Sequence, residues 1–176
     1  MRKLLNEELD RLTVDDFKTA AKKPIIVILD NIRSMHNVGS AFRTSDAFLV
    51  EKIYLCGITA QPPHREIQKT ALGATESVAW AHAENTLDLV KQLQNDGWKV
   101  AAIEQADESF SLEKYNFAAD EKYAFVFGNE VFGVAEEVVK QADFCLEIPQ
   151  FGTKHSLNIS VSMGVVIWDY FSKTTD

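Results

Sequence analysis

Six short apolar runs constrain this chain most: Ile25 to Asp30, Lys52 to Cys56, Val78 to Ala81, Trp98 to Ile103, Tyr123 to Phe127, and Phe144 to Ile148. They are rich in valine, isoleucine and aromatic residues, and helical patterning lies between and after them, at Val38 to Phe48, Thr86 to Asn95, Val134 to Gln141, and Asn158 to Phe171. Strands apolar on both faces and separated by helices predict an α/β fold, a mainly parallel sheet with helices on both faces. Ligands of such sheets bind beyond the carboxyl ends of the strands, where loops converge. The sequence places its most polar loops there.

The length of 176 residues and a 46% hydrophobic content suit one core. Residues 1–23 read as a short helical N-terminal extension: Leu5, Leu9 and Leu12 recur at helical spacing, Thr13 caps a second short helix, and Pro24 closes it. The main domain then covers 24–176. No apolar run approaches the length of a membrane span, and the start turns acidic at Glu7-Glu8 before a signal-peptide core could form, so a soluble cytoplasmic protein is expected. Cys56 and Cys145 sit among strand residues as buried thiols. Neither they nor the four histidines show metal-ligand spacing, and no metal is expected.

A net charge of -8 argues against indiscriminate polyanion binding. The acids, however, concentrate near the start and between Asp107 and Glu121, whereas Arg33, His36, Arg43, His64, Arg65, Lys69, Lys154 and His155 surround the polar loops. This leaves room for a local basic patch on an acidic body.

Three segments could carry chemistry. In Asp30 to Ala47 a polar turn precedes a helix whose early residues, Gly39, Ser40 and Ala41, allow close backbone approach, with Asn37 as candidate N-cap and Arg43 flanked by apolar residues. In Phe125 to Val134, Gly128 follows a buried strand and Gly133 precedes a helix; Glu130 between them suits either a first helical turn or a functional loop. In Leu146 to Val166 a strand ends at Pro149, and the last helix opens with Ser156 or Asn158 as cap. Capping accounts for one of those two residues, not for both after the basic Lys154-His155 pair.

Taken together and in order, Asn37 with Arg43, Gly128-Asn129-Glu130 with Phe132-Gly133-Val134, and Ile148-Pro149 with Ser156-Leu157-Asn158-Ile159-Ser160-Val161 resemble the three motifs of the SpoU/TrmH family of RNA 2'-O-ribose methyltransferases, in the SPOUT superfamily. The resemblance covers nearly everything from Pro24 onward. It implies a SPOUT fold with a C-terminal deep trefoil knot, an exception to the rule against threaded chains. It further implies S-adenosylmethionine as cofactor, a structured RNA (tRNA or rRNA) as substrate, and a homodimer whose active site uses both subunits. By motif position the catalytic set is Arg43, Asn37, Glu130, Ser156 and Asn158, and the cofactor contacts are Gly128, Ile148, Leu157 and, by a looser match, Glu104. Arg33, His36, Arg65, Lys154 and His155 are the RNA-binding candidates. The family assigns catalysis to the arginine, as base or as the group that orients a phosphate; Arg33-Ser34-Met35-His36 replaces a proline-containing stretch of several relatives.

Two other readings compete. One is an inactive RNA-binding or ribosome-assembly module with the same fold. The other is an ordinary nucleotide-binding α/β enzyme, against which stands Asp30-Asn31-Ile32-Arg33 where a glycine-rich phosphate loop would be.

Overall fold

Alternate residues of the first long strand bury into two separate cores. Ile25, Val27 and Leu29 pack with Phe42, Met163 and Tyr170, while Ile26 and Ile28 pack with Leu89, Val90 and Val138 on the other face. A strand apolar on both sides needs cover on both sides, which fixes it in the middle of a sheet sandwiched by helices.

The computed structural model describes residues 1–175. A 3-10 turn (Asn6–Glu8) and α1 (Val14–Thr19) precede β1 (Lys23–Asp30), α2 (Met35–Ala47), β2 (Val50–Cys56), α3 (Arg65–Ala71), α4 (Ala74–Ser77) and β3 (Trp80–Ala83). Then follow α5 (Thr86–Asn95), β4 (Trp98–Ile103), β5 (Phe110–Ser111), a 3-10 turn (Leu112–Lys114), β6 (Lys122–Phe127), α6 (Glu136–Gln141), β7 (Phe144–Glu147) and α7 (Ile159–Thr174). The seven strands lie in the order β3-β2-β1-β6-β4-β7-β5, and every ladder is parallel. The chain therefore builds outward from β1 in one direction and then crosses to the other. β1 and β6 are neighbours at that reversal, with Leu29 paired to Phe127, and a cleft opens beyond the carboxyl ends of β6, β4 and β7.

Most elements fall where the sequence places them, with shifted ends. β3 begins at Trp80 instead of Val78, because α4 runs to Ser77 and Val78 is its C-cap. Two short helices, α3 and α4, and the two-residue β5 were not expected. The N-terminal extension is less helical than its leucine spacing implied: only Asn6–Glu8 and Val14–Thr19 turn, and Leu4, Leu5 and Leu12 are exposed, without a partner surface to stabilise a longer helix. Thr13 does cap α1, accepting from Asp16 N. α2 begins three residues before the expected start, and Ser34, not Asn37, is its N-cap. The close approach foreseen at Gly39 occurs against α3: a Cβ there would lie 2.1 Å from Thr70 Oγ1 and 2.2 Å from the Ile67 carbonyl oxygen.

Candidate active site

The end of β1 is tied to the loop after β6 by a buried carboxylate. Asp30 Oδ1 accepts from Thr86 Oγ1 at 2.6 Å and from Asn31 Nδ2 at 2.9 Å, and Oδ2 accepts from Ala135 N at 3.2 Å. Asn129 then shapes the loop. Its backbone exchanges two 2.9 Å hydrogen bonds with Gly133, its Nδ2 donates to the Asn31 carbonyl at 2.7 Å, and its Oδ1 accepts from the Val131 and Phe132 amides. The result is a tight turn whose tip exposes Val131 and Phe132. Gly128 makes that turn sterically feasible, since a Cβ would lie 2.0 Å from Val134 N and 2.1 Å from the Gly133 carbonyl carbon.

Glu130, exposed on this turn rather than in a helix, reaches the turn after β1. Oε2 accepts from Arg33 N and Oε1 from Ser34 N, each at 3.0 Å, and Oε1 also accepts from Asn37 Nδ2 at 3.0 Å. Partial burial opposes ionisation of Glu130, but the Arg33 and Ser34 amides and the Asn37 side chain more than offset it, and its pKa lies below the usual glutamate value. An ionised Glu130 only accepts, so Asn37 must turn its Nδ2 toward it and its Oδ1 away. That oxygen accepts from Asn158 Nδ2 at 3.2 Å; the remaining Asn158 oxygen caps α7 by accepting from Ser160 N at 2.8 Å. One directed chain of hydrogen bonds thus links the three polar segments. Because Ser34 does the capping, the Asn37 side chain is free for this role.

A fourth loop joins through Glu104, after β4. Its carboxylate accepts from Val134 N and Gln105 N, both at 3.0 Å, and Gln105 Nε2 donates to the His155 carbonyl at 2.7 Å. Gln105, Asp30 and Thr86 lay outside the sequence-derived site; for Asp30 the signal was an acid closing an apolar run, and for the others there was none.

Between these loops opens a cleft of about 540 Å³, lined by Gly128, Glu130, Ile148, Ser156, Leu157 and Asn158 among others. Glu104 and His155 also line it. Arg43 does not. It lies six residues beyond Asn37, about 9 Å farther along the axis of α2, where it is exposed. Arg33, His36 and Arg65 are exposed on the side of α2 and α3, with His36 Nε2 3.1 Å from Glu66, whereas Lys154 and His155 are exposed on the loop before α7. Neither thiol is placed for nucleophilic work: burial pushes Cys56 up to about 12 and Cys145 upward as well. Among the described residues there is no cluster able to hold a metal ion, and no helix long and apolar enough to cross a membrane.

The fold recurs in known proteins. A solved structure of an A. aeolicus TrmH/SpoU tRNA modifying enzyme superposes with a TM-score of 0.79 at 24% identity, covering 91% of this chain and 81% of that one, a likeness of fold. An AdoMet-bound rRNA methyltransferase from Sinorhizobium meliloti superposes with a TM-score of 0.81 at 25% identity, over 91% of this chain and 61% of its own. In sequence, the 23S rRNA (guanosine-2'-O-)-methyltransferase RlmB of Neisseria meningitidis is 29% identical over 153 residues, 87% of this chain and 60% of that protein. This chain therefore spans about three-fifths of the length of that curated relative. Residues 24–168 match the SpoU rRNA Methylase family as a whole, and the chain belongs to that family.

Proposed function

We propose that this protein transfers a methyl group from S-adenosylmethionine to a ribose 2'-hydroxyl of a structured RNA, a tRNA or an rRNA, as a cytoplasmic homodimer. The observation that carries this is the cleft walled by the loops after β4, β6 and β7, on which Glu130 and Asn158 are joined through Asn37. The residues present suit the cofactor. Ile148 and Leu157 give apolar walls for an adenosyl group, and among the described residues no hydrogen-bond acceptor takes up the peptide N–H of Ser156 or Leu157. Gly128 and Glu104 complete that side. The sulfonium supplies an activated methyl group, so the protein needs only to orient the acceptor oxygen and manage its proton. Asn37, Glu130, Ser156 and Asn158 hold the cleft and the RNA backbone in register. Arg33, His36, Arg65, Lys154 and His155 would engage phosphates.

Arg43 is assigned to the cleft of the opposite subunit. It is exposed and does not line its own cleft, while α7 leaves Val161, Val165 and Trp168 uncovered at helical spacing, an apolar stripe suited to a second copy. A guanidinium stays protonated in proteins, so orienting the phosphate beside the acceptor ribose is its easier task. The C-terminal trefoil knot is part of the same proposal. In its support, β7 lies beyond β4, the following segment meets Gln105, and α7 returns to pack on α2.

Calorimetry with S-adenosylmethionine, followed by nucleoside mass spectrometry of RNA treated with the enzyme, tests the reading. Binding and a ribose-methylated nucleoside are expected. A base-methylated product would overturn the ribose assignment, and a folded protein that binds no cofactor would favour the inactive RNA-binding module.

Glu130→Gln is expected to weaken cofactor binding about tenfold, because an amide turns a donor toward one of the three N–H groups that Glu130 now satisfies. The pH response follows from the lowered pKa. The order that ionised Glu130 imposes is fully present above the ordinary glutamate range, about 4.3, and is lost as pH falls through its lower folded-state value. Cofactor affinity measured against pH should show that step in the wild type and lack it in Glu130→Gln.

A further inference from the structure

The loop between β7 and α7 carries an aromatic ring that the methyl-transfer chemistry leaves unused. Phe151 is 97% exposed and joins neither core. A lone exposed phenylalanine is ordinary on a protein surface; its setting here is not. Phe151 borders an open annex of about 410 Å³ that shares Gln150, Ser156, Leu157 and Asn158 with the main cleft. Lys154 lines the same annex, and among the described residues its ammonium has no ion-pair partner. In a chain of net charge -8, no aspartate or glutamate occurs from Ile148 to Trp168. A flat apolar face, a free cation, amide and hydroxyl groups and the absence of acid coincide at the edge of the cleft.

We propose that the annex receives one unstacked nucleobase of the RNA, its face against the Phe151 ring and its phosphate near the Lys154 ammonium. This rests on the RNA-methylating reading above. The side chains favour a base over an apolar anchor of another protein: Gln150 and Thr153 present donors and acceptors that match base edges, and an aliphatic anchor would leave them unpaired. Stacking on an exposed ring tolerates any base, because each has a π-face. The annex would therefore add affinity for single-stranded or loop nucleotides beside the methylated ribose.

The test uses the full chain and two probes, a fluorescein-labelled single-stranded RNA of mixed sequence and the same RNA annealed to its complement, read by fluorescence anisotropy. Calorimetry with S-adenosylmethionine runs alongside. Phe151→Ala is expected to weaken single-strand binding about tenfold, to change duplex binding little, and to leave cofactor affinity as in the wild type. Phe151→Leu should be as weak as the alanine variant. Phe151→Trp should bind like the wild type and show RNA-dependent fluorescence quenching beyond that of the native tryptophans. Wild-type affinity in Phe151→Ala or Phe151→Leu would overturn the proposal. So would a change in mass of Phe151→Ala by light scattering, which would show that a second copy covers the ring. A wild type that binds cofactor but no single-stranded RNA sinks the annex alone; one that binds neither sinks the enzymatic reading with it.

Discussion

Replacing Arg43 by lysine is expected to reduce methyl transfer by about 10²- to 10³-fold, the loss typical when one preorganised charged donor is removed from a reacting centre. The fold and the cofactor affinity should not change. The residue is exposed on α2, makes no contribution to either core, and does not line the cleft. Lysine keeps the charge but loses the planar fork that grips a phosphate through two parallel hydrogen bonds. Stopped transfer with intact cofactor binding separates a role at the acceptor from a role in holding the donor. Mixing Arg43→Lys with Asn158→Ala subunits should restore turnover if the guanidinium serves the opposite subunit's cleft, because each mixed dimer then carries one complete site. Normal turnover by Arg43→Lys alone would remove the arginine from the chemistry.

The second large effect is expected at Gly128. Its Cβ would meet backbone atoms of Gly133 and Val134 at about 2 Å, and neither can move aside as the end of a long side chain could. Gly128→Ala therefore has to open the turn that Asn129 and Gly133 close. Overpacking of this kind costs about 1–3 kcal/mol, a fall in melting temperature of roughly 2–12 °C for a chain of this size. Cofactor affinity should fall further, by about a hundredfold, because the same turn carries Glu130 and, through Val134, meets Glu104. Calorimetry and thermal melting on one preparation check both numbers. Unchanged cofactor affinity would show that the turn is not a wall of the donor site.

What the sequence disclosed about the fold follows from burial. β1, β4 and β6 lie between two layers of helices, so their residues are apolar without alternation, and their extents are found to within two residues. α3 escaped because only Ile67 and Ala71 of its seven residues are buried, too few for a periodic pattern. The polar loops were visible as glycines and amides at strand ends. Their connections were not, since the bond from Asn37 to Glu130 spans 93 residues and that from Asn158 to Asn37 spans 121. No local pattern encodes such contacts. The N-cap was misplaced for a related reason: Asn37 and Ser34 are both good caps, and the choice between them is settled by a carboxylate far along the chain.

That settlement has a bearing on how such a protein could be re-engineered. The amide orientations at Asn37 and Asn158 are each dictated by the neighbour before, back to Glu130, so polarity runs in one direction through the three turns. Transplanting a single turn from a homologue that reverses one donor and acceptor would misalign every turn downstream. Chimeras should keep their activity only when all three segments are exchanged as a set, while the strands beneath them remain interchangeable.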